Sequence, residues 1–281
     1  MPSMPASEIP VVSQNVWIGA EDLWLEVFVI FNFVCLSGDI AIAHSENHFR
    51  NSAEYIPLCF SLLAAPVLLG GLVGRLRNHW QSVWKDIGYL VGWISIAVGA
   101  AGVIYHLNSS FFYERTLKSL TYAAPFAAPL SYMGLGCLLI MNRMIARHTR
   151  EWSHWVLFFA LGGFGGNFVL SLSDHAVNGF YRWSEWIPVI SSGLAVGFLL
   201  VLLLLEEGRG FLWLTAGVLL VQILVGGLGF LLHVEADLHG PAGTLFENLI
   251  SGAPPFAPLL LPNLSILGFI GILATDRSIR K

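Results

Sequence analysis

A pattern of residues that occurs twice constrains this chain more than any other feature. A histidine, an asparagine and a phenylalanine, followed by glutamate, an aromatic residue, isoleucine and proline, recur with the same spacing 131 residues later. The copies are His44-x-x-Asn47-x-Phe49 with Glu54-Tyr55-Ile56-Pro57, and His175-x-x-Asn178-x-Phe180 with Glu185-Trp186-Ile187-Pro188. Self-similarity at a fixed spacing indicates that the fold is built from repeated structural units.

A second pair of matching segments extends the repeat. Gly99-x-x-Gly102 lies four residues before His106, and Gly226-x-x-Gly229 lies four residues before His233. An Ala-Pro-Phe-Ala run at 124–127 is similarly answered by Pro-Pro-Phe-Ala at 254–257. Two histidines and one glutamate therefore recur in each half of the chain. We interpret the chain as an internal duplication.

Composition places the chain in a membrane. Hydrophobic residues make up 56% of it, charged residues only 11%, and the mean hydropathy is +0.70, whereas soluble domains carry about 25% charged residues. Apolar stretches of about 20 residues are long enough to cross a bilayer as helices. Eight such stretches are predicted, near 24–44, 54–74, 86–106, 121–142, 155–175, 185–205, 211–233 and 254–275.

These spans predict an all-α integral membrane protein with eight transmembrane helices, arranged as two tandem four-helix repeats of parallel topology. Residues 1–20 form an N-terminal segment without the features of a cleavable signal peptide. The first repeat covers 21–146 and the second covers 147–281. Several glycines precede the third-helix histidines of each repeat on one helix face, a pattern that lets helix backbones approach closely in lipid.

The distribution of Lys and Arg predicts the orientation, because short cytoplasmic loops retain these residues. Ten of them fall on one predicted side, namely Arg75, Arg77, Lys85, Arg143, Arg147, Arg150, Arg209, Arg277, Arg280 and Lys281. Four fall on the other, namely Arg50, Arg115, Lys118 and Arg182. We therefore expect a bacterial inner (plasma) membrane, both termini in the cytoplasm, and all six repeated polar residues on the outer face.

The repeated polar residues predict a metal centre. Imidazole and carboxylate are ligands for iron, copper and zinc, and ionisable residues beside membrane spans mark functional sites by default. The predicted ligands are His44, His106, His175, His233, Glu54 and Glu185. The two glutamates are also candidate catalytic residues, as general bases beside the metal. This set predicts redox or hydrolytic chemistry on a lipid-soluble or extracytoplasmic substrate, as in a metal-dependent membrane oxidoreductase.

Other interpretations of the same residues stay open. His44 with His106, and His175 with His233, are spaced to ligate one haem b per half as axial imidazoles, in a cytochrome that takes electrons from a quinol. The glutamates are also placed to cap the following helices, and Asn47 and Asn178 to cap or to orient an imidazole. A non-catalytic subunit of a larger membrane complex and a metal transport or delivery protein are further alternatives. The sequence does not choose between one shared site and two separate ones.

Several features carry less weight. His48 completes an H-x-x-x-H spacing with His44, yet its counterpart is Gly179, so we interpret it as an interfacial residue. A net charge of −4 without a basic cluster argues against nucleic acid as a partner. The three cysteines have no regular spacing, and no phosphate-binding glycine loop occurs.

Overall fold

A computed structural model describes residues 20–77, 81–108, 111–114, 127–177, 179–205 and 208–279. All regular elements in these ranges are helical. The α-helices are α1 (Glu21–Ser45), α2 (Tyr55–Leu76), α3 (Gln81–Leu107), α4 (Phe111–Glu114), α5 (Ala127–Met144), α6 (Arg150–Val177), α7 (Trp186–Leu204), α8 (Arg209–Leu238), α9 (Leu245–Ser251) and α10 (Leu260–Ile279). Single 3-10 turns precede three of them, at Ser52–Glu54, Trp183–Glu185 and Ala257–Leu259.

Seven helices of the described ranges are long and apolar enough to cross a membrane, which confirms an all-α membrane protein. They are α1, α2, α3, α6, α7, α8 and α10, three of them extended by their 3-10 turns. The remaining predicted span, 121–142, begins outside the described residues and continues into α5, an 18-residue helix. The N-terminal segment 1–19 also lies outside the described residues.

The long helices pack against their neighbours in two sets. In the first, α1 contacts α2, α2 contacts α3, α3 contacts α5, and α5 contacts α1. In the second, α6, α7, α8 and α10 contact one another in the same cyclic order. Contacts of α5 with α6 and of α1 with α10 join the sets. This order places α1 and α3 at opposite corners of one set, and α6 and α8 at opposite corners of the other.

Glycines produce the closest helix contacts. A Cβ atom on Gly99 would lie 2.8 Å from the carbonyl oxygen of Pro129, and one on Gly226 would lie 2.7 Å from the carbonyl oxygen of Pro258. Only residues without a side chain fit at such separations. The close approach that the glycine pattern predicts is therefore confirmed, and it brings α3 against α5 and α8 against the turn before α10.

The two ends of the bundle differ in character. We call the end where α1, α3, α6 and α8 finish the histidine end, because all four repeated histidines lie there. We call the opposite end the arginine end. There the Arg143 guanidinium donates to both carboxylate oxygens of Glu26 at 2.6 Å, and both side chains are fully buried.

A wider ionic network surrounds this buried pair. Arg147 lies 2.7 Å from a carboxylate oxygen of Asp22, which also pairs with Arg75. The Arg75 and Arg143 guanidiniums lie 4.2 and 3.7 Å from the ring centroid of Trp84. The predicted spans end at residues 74 and 142 and so place Arg75 and Arg143 in loops. That assignment is wrong, since both belong to helices and their charges are compensated by carboxylates of α1 and by Trp84.

Removal of one partner from a fully buried ion pair leaves an uncompensated charge. We expect Arg143→Ala to lower the free energy of unfolding by about 3–5 kcal/mol for this reason. Arg147→Ala is the matched control, because its side chain is 45% exposed and an exposed pair contributes at most about 1 kcal/mol. Thermal unfolding of both variants in the same detergent measures the difference. Equal losses of stability would contradict the assignment of Glu26–Arg143 as the principal contact of this end.

Candidate functional site

The histidine end is built from two tight turns with the same backbone geometry. After α1, the N–H of His48 donates to the Ser45 carbonyl and that of Phe49 donates to the His44 carbonyl, each at 3.0 Å. His48 and Phe49 both take positive φ values, 56° and 50°. This left-handed backbone reverses the chain immediately after the first histidine.

The second copy repeats this turn. The N–H of Gly179 donates to the Ala176 carbonyl and that of Phe180 donates to the His175 carbonyl, again at 3.0 Å. Gly179 and Phe180 have φ values of 67° and 52°. Since glycine is the residue that adopts this conformation at least cost, Gly179 suits the position, whereas His48 adopts the same conformation at a cost.

In each turn the phenylalanine ring lies beside the first histidine. The Phe49 ring stacks on Tyr55 at 4.6 Å between centroids and lies 5.8 Å from the His44 ring. In the second copy, Phe180 stacks on Trp186 at 3.8 Å and lies 6.2 Å from His175. The aromatic pair therefore forms one wall beside each imidazole, which explains why the repeated motif contains phenylalanine and a second aromatic residue at these positions.

The two carboxylate oxygens of Glu54, the glutamate of the first motif, make different contacts. Oε1 of Glu54 accepts hydrogen bonds from the Asn51 backbone N–H at 3.3 Å and from the Asn47 side-chain amide at 3.1 Å. The Asn51 side chain caps the same turn through the Ala53 N–H at 3.0 Å. Oε2 of Glu54 points the other way and lies 3.2 Å from Nδ1 of His44.

The glutamate of the second motif is arranged likewise. Oε1 of Glu185 accepts the backbone N–H of Arg182 at 3.2 Å, and Oε2 lies 3.7 Å from Nδ1 of His175. Oε2 of Glu54 and Oε2 of Glu185 are both buried and accept no hydrogen bond from the described residues. Capping and contact with histidine therefore coexist on one side chain, and the predicted ligand or catalytic role of the glutamates stays a prediction.

The third-helix histidines complete each group. The centroids of the His44 and His106 rings are 6.3 Å apart, with the ring planes at 72°. In the second half, Nδ1 of His233 lies within hydrogen-bonding distance of the Pro254 carbonyl oxygen, at 2.9 Å. His233 also acts electrostatically on His175. In each half the structure thus places the first histidine beside the glutamate, and in the first half it also places His106 beside His44.

The predictions for the two repeated asparagines and for the metal ligands have different outcomes. Asn47 is not the helix cap, because Asn51 has that role and Asn47 instead holds Glu54. Asn178, its counterpart, lies outside the described residues. Among the residues that the structure describes, no three or more His, Cys, Asp or Glu side chains form a group with metal-binding geometry. The six-ligand metal assignment thus stays a prediction.

Two contributors to the site were missed at the sequence level. Asn51 precedes Glu54 by three residues, which is the signature of a capping box and was available in the sequence. The Pro254 carbonyl that holds His233 could not be found in this way, because a backbone acceptor has no residue-type signal. Asp174, the residue before His175, is also an electrostatic neighbour of His233.

Comparisons with known proteins do not assign the chain to a family. No protein-family model, no curated protein and no solved structure matches it.

The positive φ at His48 predicts a stability difference between the copies. A left-handed conformation costs a non-glycine residue roughly 1–2 kcal/mol, and the extra freedom of glycine in the unfolded chain offsets roughly 0.5–1 kcal/mol of any gain. We therefore expect His48→Gly to raise the free energy of unfolding by up to about 1 kcal/mol, and Gly179→His to lower it by a similar amount. Thermal unfolding of the two variants provides the measurement. Destabilisation by His48→Gly would show that the His48 imidazole itself contributes to the fold.

Proposed function

We propose that each half of this chain binds one transition-metal centre between its two histidines, and that the protein transfers electrons between a lipid-soluble donor, such as a quinol, and an acceptor outside the membrane. In this proposal α5 is the eighth span, and the chain is a tandem pair of four-helix units with its histidine end on the outer side. The observation that carries the proposal is the pairing of histidines from opposite corners of each helix set.

The hydrogen-bonding atoms of the imidazoles support this function. Nδ1 of His44 and Nδ1 of His175 face glutamate oxygens, and Nδ1 of His233 faces a carbonyl oxygen. Histidines that bind metals characteristically donate their second ring N–H to a carboxylate or a carbonyl, which fixes the tautomer and the ring orientation. With Nδ1 directed at these oxygens, Nε2 is the nitrogen that would offer its lone pair to a metal.

The position of the histidines within the helix sets also supports a bound centre. His44 and His106 come from α1 and α3, which are opposite corners of one set, and His175 and His233 come from α6 and α8, the opposite corners of the other. In four-helix bundles, cofactor sites are built in the core from side chains on facing helices. The histidines of each half meet this condition.

Haem b is the form of centre that best suits the two histidines of each half. His44 with His106, and His175 with His233, would hold it, and it would supply one-electron redox chemistry. The ring centroids of His44 and His106 are 6.3 Å apart, so both imidazoles would be within reach of one bound group. Haem needs only two ligands from the protein, which agrees with the pairing of two histidines per half.

A second candidate is a non-haem iron, copper or zinc ion held by the two histidines and the glutamate of each half. The observation that favours it is the buried Oε2 of Glu54 and of Glu185, which accepts no hydrogen bond from the described residues and so has lone pairs available. In that case the carboxylate would serve as a ligand or as a general base for metal-bound water. The identity of the bound metal would determine whether the centre supports redox or hydrolytic chemistry.

An optical spectrum combined with elemental analysis of the purified protein tests both forms. For haem we expect a Soret band, α and β bands after reduction, and two irons per chain. His44→Ala with His106→Ala should remove about half of the signal, and His175→Ala with His233→Ala the other half, because the centres are separate. His239→Ala is the control, since its ring contacts a carbonyl of its own helix.

Two results would overturn the proposal. One is purified protein with neither a Soret band nor stoichiometric metal after expression with iron, copper, zinc and haem supplied. The other is a bound metal or haem whose amount is unchanged in both histidine double variants. Folding of each variant is checked by its helical circular dichroism and its gel-filtration profile.

Glu54→Gln separates the two forms of centre. If Glu54 accepts the Nδ1–H of an axial histidine, its removal lowers the basicity of that imidazole, so haem is retained and its midpoint potential rises. If Glu54 is itself a ligand, the first-half metal is lost. Glu247→Gln, on an exposed helix cap of the same end, is the matched control. Unchanged potential and unchanged metal content would contradict a role of Glu54 in either form.

A further inference from the structure

A groove of about 360 Å³ lies between α1 and α10, the helices that join the two sets. Its walls are mainly apolar and include aromatic rings, with Trp24, Phe28 and Phe31 on α1 and Ile266 and Phe269 on α10. Three of these side chains, Trp24, Phe31 and Ile266, are 48%, 57% and 48% exposed. The groove is therefore open on the side that faces the surrounding lipid.

The length of the groove matches one leaflet of a bilayer. Its lining on α1 runs from Glu21 to Phe31, and ten residues of α-helix rise about 15 Å. The hydrocarbon core of a bilayer is about 30 Å thick. One acyl chain that enters from the arginine end therefore reaches the far limit of the groove near the middle of the membrane.

The two ends of the groove differ in charge. At the arginine end, Glu21 is paired with Arg277, whose side chain is 45% exposed. The sequence continues with Arg280 and Lys281, so three cations fall within five residues. At the deep end, the Asn263 amide donates to Asn32 and accepts from it. The contact with Glu21 uses Nη1 of Arg277, and a guanidinium has further N–H donors for a lipid phosphate. By contrast, both the NH₂ group and the carbonyl oxygen of the Asn263 amide are engaged with Asn32.

We propose that this groove binds one anionic phospholipid, with an acyl chain against the aromatic walls and the phosphate on Arg277. Juxtamembrane cations attract anionic headgroups by about 1 kcal/mol each, and the apolar walls bury the chain. A quinone ring is a poorer occupant, because its carbonyls would need polar partners deep in the groove and Asn263 already bonds to Asn32. The lipid would bridge the two helix sets at their contact. This proposal is independent of the metal centre.

Native mass spectrometry of delipidated protein, with dioleoylphosphatidylglycerol, dioleoylphosphatidylcholine or ubiquinone added back, tests this assignment. We expect one phosphatidylglycerol retained per chain, in preference to phosphatidylcholine. Arg277→Gln should weaken retention about fivefold, the loss of one juxtamembrane cation, and Ile266→Trp should abolish it by filling the groove. Lys85→Gln removes a cation at the same end on α3, and Leu220→Trp adds an indole at an exposed position of α8. Both controls should retain the lipid.

Three results would overturn the assignment. They are equal retention of phosphatidylcholine, displacement of phosphatidylglycerol by ubiquinone, and loss of lipid from both controls to the same extent as from Arg277→Gln and Ile266→Trp. Because the variants could differ in stability, the thermal midpoint of each is measured with and without lipid. A bound lipid raises the midpoint of the wild type and of the controls, whereas this rise should be smaller for Arg277→Gln and absent for Ile266→Trp.

Discussion

The contact between a helix-end imidazole and a buried carboxylate oxygen determines the organisation of the histidine end. Glu54 reaches His44 with one oxygen because its other oxygen is held by Asn47 and the Asn51 N–H. That arrangement in turn requires the left-handed turn at His48 and Phe49, which brings the start of α2 back over the end of α1. Helix termination, capping and imidazole orientation are thus consequences of one short segment. The second copy repeats the turn and the glutamate–histidine contact with the same three residue types, His175, Phe180 and Glu185.

The arginine end follows a different physical principle. Its charges pair inside the protein, so that the buried carboxylate of Glu26 is compensated by Arg143 and by the ring of Trp84 below the guanidinium. At the histidine end, by contrast, two buried carboxylate oxygens face imidazoles whose charge depends on protonation. Both ends contain buried polar atoms without a hydrogen-bond partner among the described residues, including Nε of Arg143 and a guanidinium nitrogen of Arg75 at the arginine end. The ends differ in charge compensation, since Arg143 neutralises Glu26 whereas the carboxylates of the histidine end face imidazoles. The arginine end therefore suits a structural role.

The repeated site residues, the long helices and the close helix contacts could be predicted from the sequence. The repeat identified His44, Glu54 and His106 and their counterparts, because residues that recur at matching positions can be found without knowledge of the fold. Apolar length located the helices, since crossing a bilayer requires about 20 residues. The glycines before His106 and His233 predicted close helix contacts, which the structure contains.

Other features depend on which helices are neighbours, and the sequence analysis did not supply that information. The pairing of Glu26 with Arg143 joins residues 117 positions apart. A signal was present, because Asp22 and Glu26, and likewise Arg143 and Arg147, are spaced by four residues on their helices. The Pro254 carbonyl beside His233 and the groove between α1 and α10 had no such signal, since backbone acceptors and cavities arise only from packing.

The central claim is that the two histidines of each half enclose one centre. A cryo-electron microscopy map of the purified protein in nanodiscs tests it most directly. The account predicts strong density between the imidazoles of His44 and His106, and separately between those of His175 and His233, continuous with Nε2 of each ring. Imidazoles separated only by water, lipid or protein side chains in a map that resolves their rings would contradict it.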